Sequence, residues 1–269
     1  MPSAVFNENV VIITGASRGI GCELALRLAE QGALLALGAR DLEKLDEVAA
    51  ACRQRGGKAF TVKTDVAKEA ACRNLVERTV AEYGRIDTLV NNAGISMWAL
   101  FEQIEDLSVF EKIMQVNYMG SVYCTHYALP YLKETRGRLI AVSSLTGKTG
   151  VPTRSGYGAS KHAMVGFFDS LRIELMGTGV TVTISYPDFV ATDIRKLALG
   201  TDGEPIMDSP VQEDKIMTVE TSVSYLLRAM EKRKREDVQT PRAHVGQWIK
   251  LIAPSIVDKI AQRAITKGK

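Results

Sequence analysis

The stretch VVIITGASRGIG, residues 10–21, decides the fold of this chain. Its first four residues are β-branched and predict a strand that is buried on both faces. A helical pattern opens after the glycines and stops at Gly32. Backbone N–H groups of a glycine turn at a helix N-terminus can approach a pyrophosphate, so this order of elements predicts a nucleotide-phosphate loop. The spacing Gly-x3-Gly-x-Gly is not the commonest dinucleotide fingerprint, and a purely conformational role for the glycines is the alternative.

Arg40 follows a second predicted strand, residues 33–39. In a dinucleotide-binding unit, an acidic residue at this place holds the adenosine 2′-hydroxyl, whereas an arginine accommodates a 2′-phosphate. Arg18 in the glycine loop offers a second guanidinium for the same phosphate. The two arginines predict NADP(H) as the cofactor. Asp41 keeps NAD(H) as an alternative. The simpler interpretation is that both arginines are solvated surface residues.

Strand and helix patterns alternate along the rest of the chain. Further strands are predicted at 59–64, 87–90, 138–142 and 181–185, and helices at 41–55, 68–83, 106–132, 157–176 and 218–234. This alternation predicts an α/β fold of the Rossmann type, a doubly wound parallel sheet flanked by helices. We find no repeat or linker, so residues 1–269 are expected to form a single domain.

Polar residues stand where several predicted strands end, and open α/β sheets bind ligands there. Asp65 and Val66 follow the third strand, where a carboxylate can meet an adenine amino group or cap the next helix. The run Asn91-Asn92-Ala93-Gly94 follows the fourth strand, although plain turn chemistry also explains it. Asn117 lies inside a predicted helix, where asparagine is unfavourable, and indicates a backbone distortion or a specific hydrogen bond.

Tyr157 and Lys161 share one face of a predicted helix at positions i and i+4. A cation beside a phenol favours the phenolate and lowers its pKa, which suits acid/base chemistry near neutral pH. Ser144 precedes a Gly/Pro-rich loop, residues 146–152, that can bring its hydroxyl to the tyrosine. Taken alone, two polar residues on an ordinary amphipathic helix explain the pair equally well.

Composition excludes several classes of protein. The 269 residues are 46% hydrophobic and 24% charged with a net charge of +3, which is typical of a soluble globular domain and too weakly basic to indicate nucleic acid. The four cysteines are far apart and form no CxxC pair, so we expect free thiols, no metal site and a reducing cytosol. The sequence shows neither a secretory signal nor a run of about 20 apolar residues that could span a membrane.

Taken together, these motifs resemble the short-chain dehydrogenases/reductases. The matching pieces are Thr14-Gly15-x3-Gly19-x-Gly21, Asn91-Asn92-Ala93-Gly94, Asn117, Ser144, Tyr157-x3-Lys161 and Pro187-x2-Val190-x-Thr192. They occur in the order and at the spacings of that family, over residues 8 to about 235. Each motif alone is a weak signal, but all of them together at the family's spacings make the resemblance specific.

The resemblance implies a sheet of about seven strands and hydride transfer between a nicotinamide cofactor and a carbonyl or secondary alcohol. Ser144 would polarise the substrate oxygen, Tyr157 would transfer the proton, and Lys161 would lower the tyrosine pKa and bind the ribose. Asn117 would hold a water that links Lys161 to solvent. The cofactor-binding residues that it implies are Gly15, Ser17, Arg18, Gly19, Ile20, Gly21, Arg40, Asp65, Val66, Asn91, Ala93, Gly94, Tyr157, Lys161, Val190 and Thr192. A homodimer or homotetramer, packed through helices 106–132 and 157–176, is also implied.

Three segments bear on the substrate and on location. Residues 193–217 are rich in Gly, Pro and Asp and predict a mobile substrate loop. Pro187-Asp188 stands where the family usually has Pro-Gly, which leaves the geometry of the following loop open. Residues 243–267 are basic and amphipathic and break at Pro254, so they either pack over the substrate entrance or a second subunit or contact a membrane surface. The sequence as a whole is similar to family members that act on steroid-, retinoid- or acyl-like carbonyls. We expect a cytoplasmic protein or one that is peripheral at a membrane.

Two other functions fit parts of the sequence. A non-catalytic nucleotide-binding scaffold or sensor with the same fold has no chemical need for the set Ser144, Tyr157 and Lys161. A nucleotide-sugar epimerase or dehydratase is disfavoured by the glycine spacing and by the short C-terminal region.

Overall fold

A single parallel sheet organises the molecule. The structure is a computed structural model that describes residues 4–207 and 216–266. Within these residues, seven strands pair in the order β3-β2-β1-β4-β5-β6-β7, and all pairings are parallel. Helices cover both faces, so the predicted doubly wound α/β fold of about seven strands is confirmed.

The strands and helices begin and end close to the predicted positions. The strands are β1 (Val10–Thr14), β2 (Leu34–Ala39), β3 (Lys58–Lys63), β4 (Thr88–Asn91), β5 (Arg138–Val142), β6 (Thr181–Tyr186) and β7 (Glu236–Val238). The helices are α1 (Gly19–Ala29), α2 (Leu42–Gln54), α3 (Glu69–Tyr83), α4 (Ser108–Met114), α5 (Gly120–Thr135), α6 (Ser155–Glu174), α7 (Val219–Glu231), α8 (Pro241–Ile252) and α9 (Pro254–Thr266).

The central strand β1 is apolar from Val10 to Ile13 because both of its faces are buried. Val11 and Ile13 pack with α1, α2 and α7 in one core, and Ile12 packs with α3, α5 and α6 in the other. All three side chains are fully buried, and each such burial stabilises the fold by about 1.5–3 kcal/mol. A strand with two buried faces places its carboxyl end, and the loop that follows it, at a fixed position.

The predicted helix 106–132 is interrupted. Residues Gln115–Met119 form a π-helical turn between α4 and α5, and Asn117 lies in it, fully buried. Its carboxamide oxygen accepts from the Ile95 N–H at 2.8 Å, and its Nδ2 donates to Ile95 O and to Ser160 Oγ, both at 2.9 Å. The distortion and the hydrogen bond that the sequence offered as alternatives therefore occur together, as is common for π turns at functional sites.

Two boundaries differ from the sequence prediction. The strand β7 was implied by the family resemblance but not located, because it is short and begins with Glu236 and Asp237. The Asp237 carboxylate is buried and accepts from Ser185 Oγ at 2.7 Å and from Gln239 Nε2 at 2.9 Å, which compensates its desolvation. Helix α7 ends at Glu231 rather than at 234, and the basic run 232–235 leads into β7.

The C-terminal segment folds as two helices, α8 and α9, with the break before Pro254 as predicted. Large apolar side chains remain on its surface: Trp248, Leu251 and Ile252 are 66%, 76% and 87% exposed. At these residues the stripe does not cover the substrate entrance, and its packing against a second subunit or a membrane surface stays a prediction. None of the described helices is long and apolar enough to cross a bilayer.

Candidate active site

A cleft of about 780 Å³ lies at the carboxyl ends of the strands, where the sequence placed the ligand. Among the predicted site residues, those that line it are Gly15, Ser17, Arg18, Gly19, Ile20, Arg40, Asp65, Val66, Ala93, Gly94, Ser144, Tyr157, Lys161, Val190 and Thr192. Gly21, Asn91 and Asn117 do not line it. The predicted substrate loop contributes seven lining residues: Asp193, Ile194, Arg195, Leu197, Leu199, Glu204 and Pro205. Residues 208–215 of that loop lie outside the described part of the chain.

The glycine loop is fastened to the turn after β4. The Thr14 hydroxyl accepts from the N–H groups of Asn92 and Ala93 at 3.0 and 3.1 Å and donates to Val90 O. Gly15 has a φ of +67°, and a Cβ there would lie 2.8 Å from Ala93 Cα. Only glycine permits both this backbone conformation and this close approach. Sequence reasoning missed the role of Asn92, whose Nδ2 donates to Thr14 O at 2.9 Å.

Gly21 and Asn91 stand behind the cleft wall. A Cβ on Gly21 would lie 2.5 Å from Asn92 Nδ2, so this glycine lets α1 pack closely against the loop. Asn91 is buried at the end of β4, and its Nδ2 donates to Thr125 Oγ1 at 3.0 Å. The Asn91 side chain thus points into the core, and the expected contact of this residue with the cofactor stays a prediction.

Asp65 does not cap α3. Lys68 occupies the N-cap position, and the Asp65 carboxylate accepts from the Ala67 N–H at 3.2 Å in the turn after β3. The capping alternative is therefore wrong. Asp65 and Val66 remain on the cleft wall, where the sequence placed the adenine.

Ser144 meets Tyr157 across the cleft. The Ser144 hydroxyl is close enough to Tyr157 to lower the pKa of its phenol, and Ser144 Oγ accepts from the Thr146 N–H at 3.2 Å. Ser143 faces elsewhere, with its Oγ 3.5 Å from Lys161 O. The loop of residues 146–152 thus places the second serine of the pair beside the tyrosine, as the sequence proposed.

Burial sets the protonation of Tyr157. The side chain is 6% exposed, and desolvation raises its pKa above the usual value, opposed by the Arg154 guanidinium and by the Ser144 hydroxyl. The sequence predicted a pKa lowered by Lys161. That prediction fails in this structure because Lys161 Nζ lies 5.8 Å from the centre of the Tyr157 ring and donates to Val142 O at 2.9 Å. The phenol is therefore held protonated near neutral pH.

Lys161 is buried with little polar compensation. It is 3% exposed, and besides Val142 O its Nζ lies 3.8 Å from Met164 Sδ. Desolvation lowers its pKa to about 8. A Cβ on Gly94 would lie 3.6 Å from Lys161 Nζ and 3.2 Å from Asn117 Oδ1, so Gly94 sits between the ammonium and the π turn. The predicted water path from Lys161 to Asn117 stays a prediction.

Arg154 is a site residue that sequence reasoning missed. It is 7% exposed and lies directly before α6, one helical turn ahead of Tyr157. Its guanidinium carbon lies 4.7, 5.8 and 5.2 Å from the ring centres of Trp98, Tyr157 and Phe189. The only sequence signal was a basic residue in an otherwise uncharged loop beside the tyrosine, a pattern that also fits a solvated surface.

The two arginines predicted for a 2′-phosphate border the other end of the cleft. Arg18 Nη2 lies 3.5 Å from an Asp41 oxygen, and both side chains are 37% exposed. Asp41 caps α2 by accepting from the Lys44 N–H. An exposed ion pair of this kind contributes about 0–1 kcal/mol, so little opposes its rearrangement around a bound phosphate.

Asp188, which stands where the resembling family usually has glycine after Pro187, links the loop after β6 to the C-terminal segment. Its carboxylate accepts from the Phe189 N–H at 2.9 Å, from Thr240 Oγ1 at 3.0 Å and from Arg242 Nε at 2.7 Å. The bond to Asp188 raises the pKa of Arg242. Asp188 has no left-handed φ, so an L side chain is accommodated without strain.

No cluster of three or more His, Cys, Asp or Glu side chains able to hold a metal occurs in the described residues. All four cysteines are free, with Cys22 partly buried and Cys52, Cys72 and Cys124 buried.

The lowered pKa of Lys161 predicts a pH dependence of stability. Between pH 8 and 10.5, the ordinary lysine value, the unfolded chain binds more protons at this position than the folded chain, so stability rises with pH. Below about 8 the penalty of the buried charge is complete and constant. The free energy of unfolding of the wild type, minus that of Lys161→Met, should therefore rise by up to about 3 kcal/mol across this window.

Denaturant unfolding of both proteins at a series of pH values measures this difference. Exposed Lys133→Met is the matched control for the general loss of a lysine charge. A difference between wild type and Lys161→Met that stays constant across the window contradicts the assignment.

Comparison with known proteins matches this chain to a family of enzymes. The family model of the short chain dehydrogenases matches residues 9–201. The 11-beta-hydroxysteroid dehydrogenase A of Sesamum indicum is 35% identical over 264 residues, covering 94% of this chain and 76% of that protein. The 11-beta-hydroxysteroid dehydrogenase 1A of Arabidopsis thaliana is 41% identical over 217 residues, covering 78% of this chain and 62% of that protein.

Solved structures share the fold. A short chain dehydrogenase/reductase from Burkholderia phymatum in complex with NAD superposes with a TM-score of 0.81 at 21% identity, over 93% of this chain and 95% of that one. An alcohol dehydrogenase from Thermococcus sibiricus complexed with 5-hydroxy-NADP gives a TM-score of 0.73 at 25% identity, over 86% and 94%. The sheet, the cleft at its carboxyl edge and these matches agree: the chain belongs to the short chain dehydrogenase family of oxidoreductases.

Proposed function

We propose that this oxidoreductase transfers a hydride between NADP(H) and a carbonyl or secondary alcohol on a lipophilic substrate. One observation carries the proposal: the buried Tyr157 lies in the cleft beside Ser144, one helical turn before the buried Lys161. A scaffold that only bound a nucleotide would gain nothing from desolvating Tyr157 and Lys161, since burying such groups costs free energy.

The chemistry divides between the cofactor and the protein. A bound nicotinamide supplies or accepts the hydride, and the chain supplies orientation and a proton. In the reducing direction, Ser144 donates a hydrogen bond to the carbonyl oxygen, and Tyr157 gives its phenolic proton to that oxygen as the carbon becomes a carbinol. The raised pKa of Tyr157 keeps this proton in place near neutrality. Lys161, one helical turn beyond Tyr157 on α6, would hold the nicotinamide ribose, as the family resemblance implies.

The cleft residues fit a dinucleotide. The approach of Gly15 to Ala93 leaves no room for a side chain, so backbone N–H groups can face a pyrophosphate at the start of α1. Val190 and Thr192 border the same cleft, and the family resemblance assigns them the carboxamide contacts. These residues would hold the cofactor with its nicotinamide toward Tyr157.

The substrate end of the cleft is largely apolar. Val116, Phe189, Ile194, Leu197 and Leu199 line it, and residues 193–217 form the loop that we assign to the substrate. The named relatives from Sesamum indicum and Arabidopsis thaliana are 11-beta-hydroxysteroid dehydrogenases. Both observations support a lipophilic, steroid-, retinoid- or acyl-like substrate.

Replacing Tyr157 with Phe tests the reaction. The variant loses the proton donor but keeps the ring that packs against Met97 and Leu199. We expect turnover of a carbonyl panel with NADPH to fall by about 10²–10⁴-fold, the usual contribution of a general acid. NADPH binding, followed by fluorescence, should change far less, and thermal unfolding checks that the variant folds. Unchanged turnover would remove Tyr157 from the mechanism.

We further propose a preference for NADP(H) over NAD(H). Arg18 and Arg40 border the end of the cleft beside β2, and the nearest competing carboxylate, Asp41, is already shared by Arg18 and Lys44. A charge-assisted bond to a phosphate contributes about 1.5–3 kcal/mol, which corresponds to about 10–100-fold in affinity.

The substitution Arg40→Ala should lower the ratio of kcat/KM for NADPH to that for NADH by about 10–100-fold. Lys44→Ala removes an exposed cation from the same corner and is the matched control, with little expected change in the ratio. A wild-type enzyme that prefers NADH would overturn the proposal.

We also propose an oligomer and a peripheral membrane contact for a cytoplasmic enzyme. Helices α4–α6 are the surfaces through which the resembling family dimerises. The exposed stripe on α8 and α9 includes Trp248, Leu251, Ile252, Ile256 and Ile260, with Lys250, Lys259 and Arg263 interleaved. Apolar residues beside basic ones favour the interface of an anionic bilayer.

Flotation with anionic vesicles tests the membrane contact. The double variant Leu251→Ser with Ile252→Ser should co-float several-fold less than the wild type, because both side chains are exposed and their replacement leaves the core intact. Equal flotation of the two proteins would assign the stripe to a second subunit instead.

A further inference from the structure

Helix α8 is bonded to two loops that border the reacting groups. They are the serine loop, residues 144–148, and the β6 loop, residues 187–192. Near the start of α8, Arg242 Nε donates to the Asp188 carboxylate of the β6 loop at 2.7 Å. Near its end, Lys250 Nζ donates to Lys148 O of the serine loop. One helix therefore contacts both loops at once.

The two loops are also bonded to each other. The Leu145 N–H donates to Pro187 O at 3.0 Å, and these two residues directly adjoin Ser144 and Asp188 in the chain. The serine loop, the β6 loop and α8 are thus bonded pairwise and close a ring. A shift of any one of the three disturbs its bonds to the other two, so the ring holds Ser144 in place relative to the start of the β6 loop.

The Asp188 carboxylate needs partners because it is buried in the wall of the cleft. Its side chain is 7% exposed, and its oxygens accept from the Phe189 N–H, from Thr240 Oγ1 and from Arg242 Nε. Burying a carboxylate is costly unless donors and a cation compensate it. Thr240 is the N-cap residue of α8, and Arg242 supplies the cation, so most of this compensation comes from α8.

The β6 loop carries Val190 and Thr192, which we assign to the nicotinamide carboxamide. The later part of the loop has a support of its own. The Ala191 N–H donates to Met217 O at 2.9 Å, and the Met217 N–H donates to Phe189 O at 3.0 Å. The ring therefore fixes the start of the loop, and its loss would misplace the carboxamide contacts without unfolding the site.

We infer that Asp188 and Arg242 are positioning residues, which hold Ser144 and the nicotinamide end of the cofactor in place beside Tyr157. Arg242 is not among the residues that line the cleft and acts through Asp188, which lines it. The inference gives the C-terminal segment a role in the reaction itself. It deepens the proposed function and rests on it for the chemistry, whereas its effect on cofactor binding does not depend on turnover.

Two ligands separate the two ends of the cleft. NADPH occupies both ends, whereas 2′,5′-ADP has the adenosine and its phosphates but no nicotinamide. Arg242→Met should raise the Kd for NADPH by about 3–10-fold and leave the Kd for 2′,5′-ADP unchanged, as measured by titration calorimetry. This is less than the ~10–100-fold of a fully buried charge-assisted bond, because the Arg242 side chain is 71% exposed. Equal losses for both ligands, or no loss for either, would overturn the inference. An enzyme that prefers NADH is tested with NADH and ADP in the same way.

Two further variants test the chemistry of the contact. Arg242→Lys keeps the cation and should retain a part of the affinity for NADPH. Arg228→Met removes an exposed arginine from α7 and is the matched control, with no change expected for either ligand. Thermal unfolding of each variant checks that it folds. An Arg242→Lys variant as weak as Arg242→Met would contradict a role of the charge.

The glycine that the resembling family usually has at position 188 gives a sharper test. Asp188→Gly removes the carboxylate, so adding Arg242→Met to it should have little further effect on the Kd for NADPH. A loss as large in the Asp188→Gly background as in the wild type would show that Arg242 acts elsewhere, and would refute the positioning role.

Turnover extends the test to the reacting groups. At saturating NADPH, Arg242→Met should lower kcat for a carbonyl substrate by about 3–10-fold, because hydride transfer depends on the placement of both reactants. Selective weakening of NADPH binding without turnover of any carbonyl would support the positioning role and refute the reaction. Turnover with the same kcat and the same Kd in Arg242→Met and in the wild type would support the reaction and refute the positioning role.

Discussion

The Thr14 hydroxyl joins the two halves of the sheet at the point on which the site depends. Strand β1 pairs with β2 on one side and β4 on the other, so the chain connections diverge there and leave a crevice at the carboxyl edge. Thr14 receives two backbone N–H groups from the turn after β4 and thereby fixes the turn against the glycine loop. The position of the glycine loop at the cleft follows from this junction. Gly94, two residues beyond Asn92, continues the same turn to the neighbourhood of Lys161 Nζ and Asn117 Oδ1.

The opposite end of the cleft is built from buried polar side chains rather than from backbone. Tyr157, Lys161 and Arg154 are all less than a tenth exposed. Desolvation raises the pKa of the tyrosine and lowers the pKa of the lysine and of the arginine, so it favours the neutral form of each. Keeping such groups out of water costs stability that the two apolar cores must supply. Buried titratable groups with shifted pKa values are characteristic of a functional site.

The sequence was sufficient for the sheet and for most of the cleft lining, because β-branched strands, glycine turns and a tyrosine and lysine at i, i+4 are local patterns. What it could not provide depends on distant contacts. Asn117 was recognised as anomalous, but the π turn became visible only through its bonds to Ile95 and Ser160. Arg154 was missed because its aromatic neighbours come from three different segments. Strand β7 was not located because its burial relies on Ser185 and Gln239 rather than on apolar residues.

The bond between Asp188 and Arg242 couples the C-terminal segment to the wall of the cleft. Asp188 lies two residues before Val190 in the cleft wall, and Arg242 lies in the first turn of α8. Whatever binds α8 and favours one position of Arg242 therefore changes the free energy of the loop that borders the cofactor. Linkage is reciprocal, so occupancy of the cleft changes the affinity of that second ligand by the same factor. A single carboxylate, where the resembling family usually has glycine, thus joins the C-terminal surface to the wall of the cleft.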